Sequence, residues 1–138
     1  MQETTQICVG LDNKPGQLAV LCGLLPNAKV NIEALCVTDD ADCVWVNIVT
    51  SPPELAEQVL TDKGYRFFTE KVLVLKIPNE PGELEGVANK LAESNVNINY
   101  VYGAGVAGSQ CELVLSVADP ARAREALANG NHCKASSG

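Results

Sequence analysis

Two short turns, 66 positions apart, hold the residues best suited to binding chemistry. Asn13-Lys14-Pro15-Gly16 and Asn79-Glu80-Pro81-Gly82 each lead into a segment with the apolar spacing of a helix. A helix start presents unpaired backbone N–H groups and the positive end of the helix dipole, which suit a carboxylate. A second asparagine, Asn31 or Asn97, follows each turn after 18 residues, and its amide can accept a hydrogen bond from an ammonium group. This set predicts a receptor for a free α-amino acid.

The same turn also has a purely architectural interpretation. Asparagine would cap the helix, proline would preset the turn, and glycine would permit a tight approach of the backbone. Capping does not account for Asn31 and Asn97, which lie beyond the helix at the start of a predicted strand. The residues alone leave both interpretations open.

The cysteines fit neither a metal site nor a nucleophile. The chain has six of them, with no C-x-x-C pair. The one histidine, His132, lies next to Cys133 on a predicted strand, where neighbouring side chains face opposite sides of a sheet. The other five lie in apolar stretches and are predicted to be small core residues: Cys8, Cys22, Cys36, Cys43 and Cys111.

Two other segments contain part of a known binding motif. Gly103–Gly108 satisfies G-x-G-x-x-G, but a strand pattern follows instead of a helix, so it is predicted to be a hairpin loop. Asp39, Asp40 and Asp42 lack a further oxygen ligand at EF-hand spacing and are predicted to form a solvated acidic turn. No nucleophile elbow, phosphate-binding loop or His-carboxylate pair occurs in the sequence. We therefore predict no enzymatic activity, no metal and no cofactor.

Composition narrows the class of partner. The 138 residues are 46% hydrophobic, which is enough apolar material for one ordinary domain or two small ones. Ten Lys and Arg against 17 Asp and Glu give a net charge of -7, and only 4% of residues are aromatic, so nucleic acid is not expected as a partner. No apolar run reaches the roughly 20 residues that cross a bilayer, and the first six residues lack the features of a leader. A cytoplasmic protein with no membrane partner is predicted.

An internal repeat organises the chain. A shift of 66 aligns the two turns and also aligns Val30-Asn31-Ile32 with Val96-Asn97-Ile98. Beyond the glycine-rich segment a shift of 68 is predicted, through an insertion of two residues. This second frame pairs Cys43 with Cys111, Val46 with Val114, Val49 with Val117 and Pro52 with Pro120. Two units are predicted, residues 1–70 and residues 71–138.

Periodicity gives both units the same order of elements. A β-branched or leucine-rich run precedes each turn, an amphipathic helix follows it, and two alternating runs then form a hairpin. Second helices open at Pro52-Pro53 and Asp119-Pro120. The predicted strands are Ile7–Leu11, Asn31–Val37, Cys43–Val49 and Tyr65–Thr69, then Val72–Ile77, Asn97–Gly103 and Cys111–Val117. This order predicts an α+β fold, ferredoxin-like βαββαβ repeated twice, with antiparallel sheets and helices on one face.

The last strand of the second unit is predicted to be weak or absent. Cys133-Lys134-Ala135-Ser136-Ser137 matches Tyr65–Thr69 in position but has little β-propensity. The first strand of that unit would then be a sheet edge, which needs cover from a partner or from the tail.

The two turns and the Asn-Ile segments that follow them resemble the signature of ACT domains, small regulatory modules that sense amino acids. The whole chain is similar to stand-alone proteins built from two such domains. The resemblance implies domains paired side by side, with ligand bound at the interface between ACT domains. It also implies ligand-facing residues, which are Asn13, Gly16, Gln17, Leu18, Asn31 and Ile32 in the first unit and Asn79, Gly82, Glu83, Leu84, Asn97 and Ile98 in the second.

The predicted function is therefore that of an amino-acid-binding regulatory protein. Its expected partners are a free amino acid and a regulated enzyme or transporter. Because paired edge strands remove exposed N–H and C=O groups, a homodimer is also predicted. The alternative is a dimerisation or protein-interaction module that binds no ligand.

The placement of the cysteines predicts their redox state. If they are core residues of a protein from a reducing compartment, thiol titration of the freshly purified protein, unfolded without reductant, should find all six free. Two or more protected thiols would contradict this prediction.

Overall fold

The computed structural model describes residues 1–40 and 43–137, with side chains described as far as residue 128. Ala41 and Asp42, which belong to the predicted acidic turn, lie outside the described residues, as do the side chains of His132 and Cys133. In chain order the elements are β1 (Gln2–Asp12), α1 (Gln17–Asn27), β2 (Asn31–Asp40), β3 (Cys43–Ser51), α2 (Pro53–Asp62), β4 (Arg66–Pro78), α3 (Glu83–Glu93), β5 (Ile98–Ala107), β6 (Gln110–Val117) and α4 (Pro120–Ser137).

The chain forms two compact units. The first unit is Thr5–Glu70, and the second unit combines Met1–Thr4 with the chain from Lys71 onward. Strands β1 and β4 therefore each contribute residues to both units. In strand order the first unit is β2-β3-β1-β4 and the second is β1-β4-β6-β5.

In the first unit, alternate residues of the sheet face the two helices. Ile7, Val9 and Leu11 on β1 are buried together with Val46 and Ile48 on β3. They pack against the buried side of both helices, which consists of Leu21, Leu25, Ala56 and Leu60. Because the side chains of a strand alternate between faces, both helices cover the same face of the sheet.

The second unit repeats this arrangement. Leu73 and Leu75 on β4 are buried with Leu113 and Leu115 on β6. The helices contribute Val87, Leu91, Ala123 and Leu127. The four strand pairings with a defined register, β1 with β3, β2 with β3, β4 with β6 and β5 with β6, are antiparallel. The ferredoxin-like βαββαβ fold that the sequence predicts twice is confirmed.

Several strands are longer than predicted. The strands predicted as Tyr65–Thr69 and Val72–Ile77 are one continuous strand, β4, because no turn residue separates them. Likewise β5 runs to Ala107, so the predicted loop Gly103–Gly108 is mostly strand, and the turn is confined to Gly108 and Ser109. Glycine weakens a strand without preventing one, and pairing with β6 supplies the stabilisation.

The second unit has a fourth strand from an unexpected part of the chain. Helix α4 continues to Ser137, so Cys133–Ser137, where the sequence predicts a weak or absent strand, belongs to a helix. Met1–Thr4 belongs to this unit instead, and β1 is hydrogen-bonded to β4. The edge of β4 is thus covered by residues from the start of the sequence.

The predicted shift of 68 in the second half of the repeat is wrong by one residue. Asp12 pairs with Cys43, and Pro78 pairs with Gln110, so structurally equivalent residues of β3 and β6 differ by 67. Val46 faces the helices and is equivalent to Leu113, not to Val114. Matching identical residues misled the alignment, because a slip of one residue moves every side chain to the other face of the sheet.

A single inserted residue accounts for the change from 66 to 67. Both hairpins have a bulge near the start of the first strand, between Ile32 and Ala34 in one and between Ile98 and Tyr100 in the other. Only β5 has a second bulge, between Gly103 and Gly105, where Ala104 is the extra residue. Gly105 has φ 148°, a backbone conformation that glycine tolerates best.

The two Asn-x-Pro-Gly turns have the same backbone geometry. Gly16 (φ 86°, ψ -11°) and Gly82 (φ 86°, ψ -9°) are the N-cap residues of α1 and α3. The Val20 N–H donates to the Gly16 carbonyl at 3.1 Å, and the Gly86 N–H donates to the Gly82 carbonyl at 3.0 Å. No side chain caps either helix, so the interpretation of the turn asparagines as caps is wrong. The left-handed glycine, not a side-chain cap, starts each helix.

This geometry predicts opposite effects of two Gly→Ala substitutions that lie seven residues apart, at Gly16 and Gly23. Gly16→Ala should lower the free energy of unfolding by about 1 kcal/mol, because alanine resists positive φ. Gly23→Ala, at an exposed position inside α1 with open space around its Cβ, should raise it by roughly 0.5–1 kcal/mol. Urea unfolding measures the free energy of unfolding of both variants. Equal stability of the two variants would contradict the positive φ at Gly16.

The position of Met1–Thr4 predicts a local effect of deletion. Removing residues 2–4 should speed amide hydrogen exchange at Leu73 and Leu75, because β4 would lose its neighbour in the second unit. Exchange at Val46 and Ile48, in the first unit, should change less. A triple alanine substitution at residues 2–4 keeps the backbone and serves as the control. If the exchange rates at Leu73 and Leu75 are the same in the deletion variant as in this control, the assignment of Met1–Thr4 to the second unit is wrong.

Candidate functional site

The turns leave helix N–H groups and asparagine side chains accessible. Asn13 and Gly16 are exposed, as are Asn79 and Gly82. Within the second unit the Asn79 N–H donates to the Ser109 carbonyl at 2.7 Å, which ties the turn to the β5–β6 hairpin. Because the first N–H groups of a helix have no partner within it, and no side chain caps α1 or α3, both turns can accept an anionic group.

The residue after each turn glycine differs in charge between the two turns, whereas the following residue is leucine in both. Gln17 and Glu83 are half-buried, whereas Leu18 and Leu84 are exposed, at 38% and 48%. Helix α1 has no acidic residue in its first turn, while α3 has both Glu83 and Glu85 there. A carboxylate ligand is therefore favoured more at the first turn than at the second.

The same chain reversal occurs in both units and leads directly to the strand-start asparagines, Asn31 and Asn97. The Val30 N–H donates to the Leu25 carbonyl at 2.9 Å, and the Val96 N–H donates to the Leu91 carbonyl at the same distance. Each reversal passes through a left-handed residue, Lys29 in one and Asn95 in the other, before the chain enters the next strand. The two sites thus share their backbone at this end as well.

Both strand-start asparagines are exposed beside a half-buried isoleucine. Asn31 is paired with Ser51 at the start of β2, next to Ile32. Asn97 lies just before β5 and Ile98, and its carbonyl accepts from the Ala118 N–H at 2.9 Å. The Asn97 amide group also donates to Asn99 Oδ1 at 3.5 Å.

Within one unit, the turn and the strand-start asparagine lie at opposite ends of the sheet. Asp12, just before the first turn, pairs with Cys43, whereas Asn31 pairs with Ser51, eight residues further along β3. At the rise of a strand and the length of α1, this places Asn13 and Asn31 on the order of 20 Å apart. A single unit therefore does not bring together the two asparagines that the sequence predicts as one receptor.

The structure adds one polar group near Asn31 that sequence reasoning missed. Thr50 pairs with Ile32 and is 2% exposed, and its hydroxyl has no hydrogen-bond partner among the described residues. The equivalent residue of the second unit, at a shift of 67, is the apolar Val117. The only signal in the sequence is a hydroxyl within an otherwise apolar strand.

Cysteine chemistry receives no support from the described residues. Cys8, Cys22, Cys36, Cys43 and Cys111 are free, and no group of three or more candidate ligands for a metal occurs in the described part of the chain. Burial raises the pKa of the Cys8 thiol, the Gln6 side chain lowers it through a hydrogen bond, and the Glu70 carboxylate raises it further. A thiol in this environment stays protonated and unreactive at neutral pH.

No helix among the described residues has both the length and the apolar character to cross a membrane.

Comparisons with known proteins agree with the observed fold. Protein BT0572 from Bacteroides thetaiotaomicron is 26% identical, with a TM-score of 0.88, over 94% of this chain and 89% of that one. The regulatory subunit of aspartate kinase from Thermus thermophilus is 11% identical, with a TM-score of 0.70, over 94% and 91% of the two chains. The corresponding subunit from Thermus flavus is 15% identical, with a TM-score of 0.63, over 96% and 92%.

A search of curated protein sequences found no match. A family model described as "ACT domain pair" matches residues 2–133. This match spans both turns, both strand-start asparagines and all but the last few residues of α4. The chain therefore belongs to the ACT domain pair family.

Proposed function

We propose that this protein is a regulatory protein that binds a free amino acid through its two Asn-x-Pro-Gly turns. The observation that carries the proposal is that both units contain the same helix start. In each, a glycine in the left-handed conformation, with φ of 86° at both Gly16 and Gly82, precedes an α-helix that no side chain caps. Any helix start leaves N–H groups without a partner inside the helix, but a corner that served only to connect a strand to a helix would not need an exposed asparagine at the same place in both copies. Membership of the ACT domain pair family supports the regulatory role.

In this proposal, each turn holds the carboxylate of the ligand. The Gln17 and Glu83 N–H groups donate to the Lys14 and Glu80 carbonyls within the turns. The next N–H groups, beginning with those of Leu18 and Leu84, donate to the ligand, and the Asn13 or Asn79 amide adds a further donor. Gln17 and Glu83 border the ligand at the half-buried side, and Leu18 and Leu84 offer apolar contact to its side chain. Asn31 or Asn97, beside Ile32 or Ile98, accepts from the ammonium group.

Since the two asparagines of one unit are far apart, each ligand takes its turn and its strand-start asparagine from different ACT units. The second unit involved is either the other one in the chain or one in a second copy. We therefore propose a ligand held at an interface between ACT domains and a homodimer as the active form. Binding there would change how the units pair, and a partner enzyme or transporter would sense that change.

The alternative function, protein interaction without a ligand, is favoured by one observation. Val20 on α1 is 56% exposed, and Leu35 and Val37 on the neighbouring strand β2 are 38% and 42% exposed. Exposed apolar side chains of this size are suited to contact with another protein. Ligand binding distinguishes the two functions directly.

A thermal-shift screen against the twenty amino acids tests the proposal. A ligand at a hundredfold excess over its Kd stabilises the folded state by about 2.7 kcal/mol, which raises the melting temperature by roughly 5 to 15 °C. Asn31→Ala and Asn97→Ala should each abolish most of the shift at their own site. Asn13→Ala is also a clean test, because this side chain does not cap α1.

Asn89→Ala, at an exposed position on α3 away from both ends, is the matched control and should keep the full shift. If no amino acid raises the melting temperature, the interaction module is the better account. If an amino acid binds but its affinity is unchanged in the Asn31→Ala, Asn97→Ala and double variants, the assignment of the site residues is wrong.

A further inference from the structure

A cavity of about 250 Å³ lies in the second unit, beside the bulge at Ala104. Its lining includes Lys76 on β4, Glu112 on β6 and Gly105 on β5. Lys76 and Gly105 are both direct neighbours of Glu112 in the sheet, so the three residues form one row across three strands. Leu75 and Leu113, next to Lys76 and Glu112, face the helices. Because side chains alternate, the row lies on the face of the sheet without helices.

The bulge and its glycine create the space. Ala104 is the residue that the first unit lacks, and a Cβ placed on Gly105 would meet no atom within 4 Å. Ala107 and Gln110, which pair with each other near the end of the hairpin, also line the cavity. Val106 and Cys111 complete the lining, so the walls combine apolar residues and a cysteine with one cation, one carboxylate and one amide.

A large side chain stands at the equivalent place of the first unit. The residues equivalent to Lys76, Glu112 and Gly105, by the shifts of 66 and 67, are Gly10, Trp45 and Thr38. The Trp45 ring covers Gly10 so closely that a Cβ there would lie 3.3 Å from Trp45 Cζ3. Phe68 supports the indole edge-on, with ring centroids 5.4 Å apart. In the first unit, Trp45 thus occupies the space that forms the cavity in the second unit.

The charges of the cavity are available to a ligand. Lys76 and Glu112 are cross-strand neighbours, yet no ion pair joins their side chains in the described part of the chain. A simple anion would be attracted by Lys76 and repelled by Glu112, and a simple cation would experience the reverse. A molecule that carries both charges satisfies both groups and leaves neither unpaired. The volume lies just below the roughly 300–1,000 Å³ of pockets for drug-sized ligands, so the molecule must be small.

We infer that this cavity is a second binding site, separate from the Asn-x-Pro-Gly turns, for a small zwitterionic amino acid. The ligand carboxylate pairs with Lys76, its ammonium group pairs with Glu112, and its side chain lies against Ala104, Gly105 and Ala107. Gln110 adds a hydrogen bond from its amide. The inference goes beyond the proposed function, since none of its residues belongs to the turns or to the strand-start asparagines.

Two-dimensional ¹H–¹⁵N NMR of the full chain tests the site residue by residue. Glycine, L-alanine and L-serine are added in turn up to about 30 mM, well above a Kd of about 1 mM. We expect saturable shifts of the Gly105 and Ala107 amides with at least one of them. Acetate and ethylammonium, which carry one charge each, should produce no such shifts. Saturable binding of either one at the same amides would overturn the inference, because a zwitterion would then not be required.

Variants separate this site from the turns. Lys76→Met and Glu112→Gln should each weaken the affinity at Gly105 about tenfold or more, since each removes a charge-assisted hydrogen bond. Lys63→Met removes the same charge from a residue outside the cavity and should have no effect. Ala107→Trp should block the cavity without entering either core, and dispersed spectra would confirm that each variant is folded.

The double variant Asn31→Ala with Asn97→Ala distinguishes failure of this inference from failure of the proposed function. The shifts at Gly105 should persist in the double variant, whatever happens at the turns. If they disappear there, the cavity is not a separate site. If none of the three amino acids shifts the Gly105 and Ala107 amides, or if Lys76→Met and Glu112→Gln bind as the parent does, the inference is wrong even where the turns bind a ligand.

Discussion

The pairing of β1 with β3, and of β4 with β6, is the constraint on which the rest of this structure depends. Because side chains alternate along a strand, register alone decides which residues join the core and which face away from the helices. It buries Val46 and Leu113 under the helices. It also puts Lys76 and Glu112 side by side on the other face. Both cores and the cavity follow from the same set of backbone hydrogen bonds.

The fold could be predicted from the sequence because its signals are local. The i, i+3, i+4 spacing after each Pro-Gly identifies α1 and α3, and the repeat of that pattern predicts two ferredoxin-like units. Register is less accessible, because it depends on a single inserted residue, Ala104, whose position no local pattern reveals. Identical residues such as Cys43 and Cys111 then favour the wrong alignment. The continuity of β4 through Glu70 and Lys71 has one local signal, the lack of a turn residue there, but nothing local shows that Met1–Thr4 belongs to the second unit.

The candidate site was predictable in its parts but not in its assembly. Proline, glycine and asparagine at fixed spacing identify the turns. In the structure, each turn ends in a glycine with left-handed backbone conformation, and no side chain caps the helix that follows. The sequence does not show that Asn13 and Asn31 lie at opposite ends of the sheet, because spacing along the chain says nothing about strand direction. Likewise, the unpaired hydroxyl of Thr50 depends on burial. The cavity depends on a difference between equivalent positions, Trp45 against Glu112, that becomes visible only once the register is known.

The contribution of Met1–Thr4 to the second unit also bears on how the protein is made. These residues leave the ribosome some 67 residues before the β4 segment that they accompany, which begins at Lys71. At synthesis rates of 5–20 residues per second, this strand segment is made roughly 3 to 13 s before the rest of its unit begins to appear. During that interval Thr5–Glu70 can already fold, with the first residues still unpaired. Completion of the second unit thus depends on a strand segment that is synthesised before the whole of the first unit.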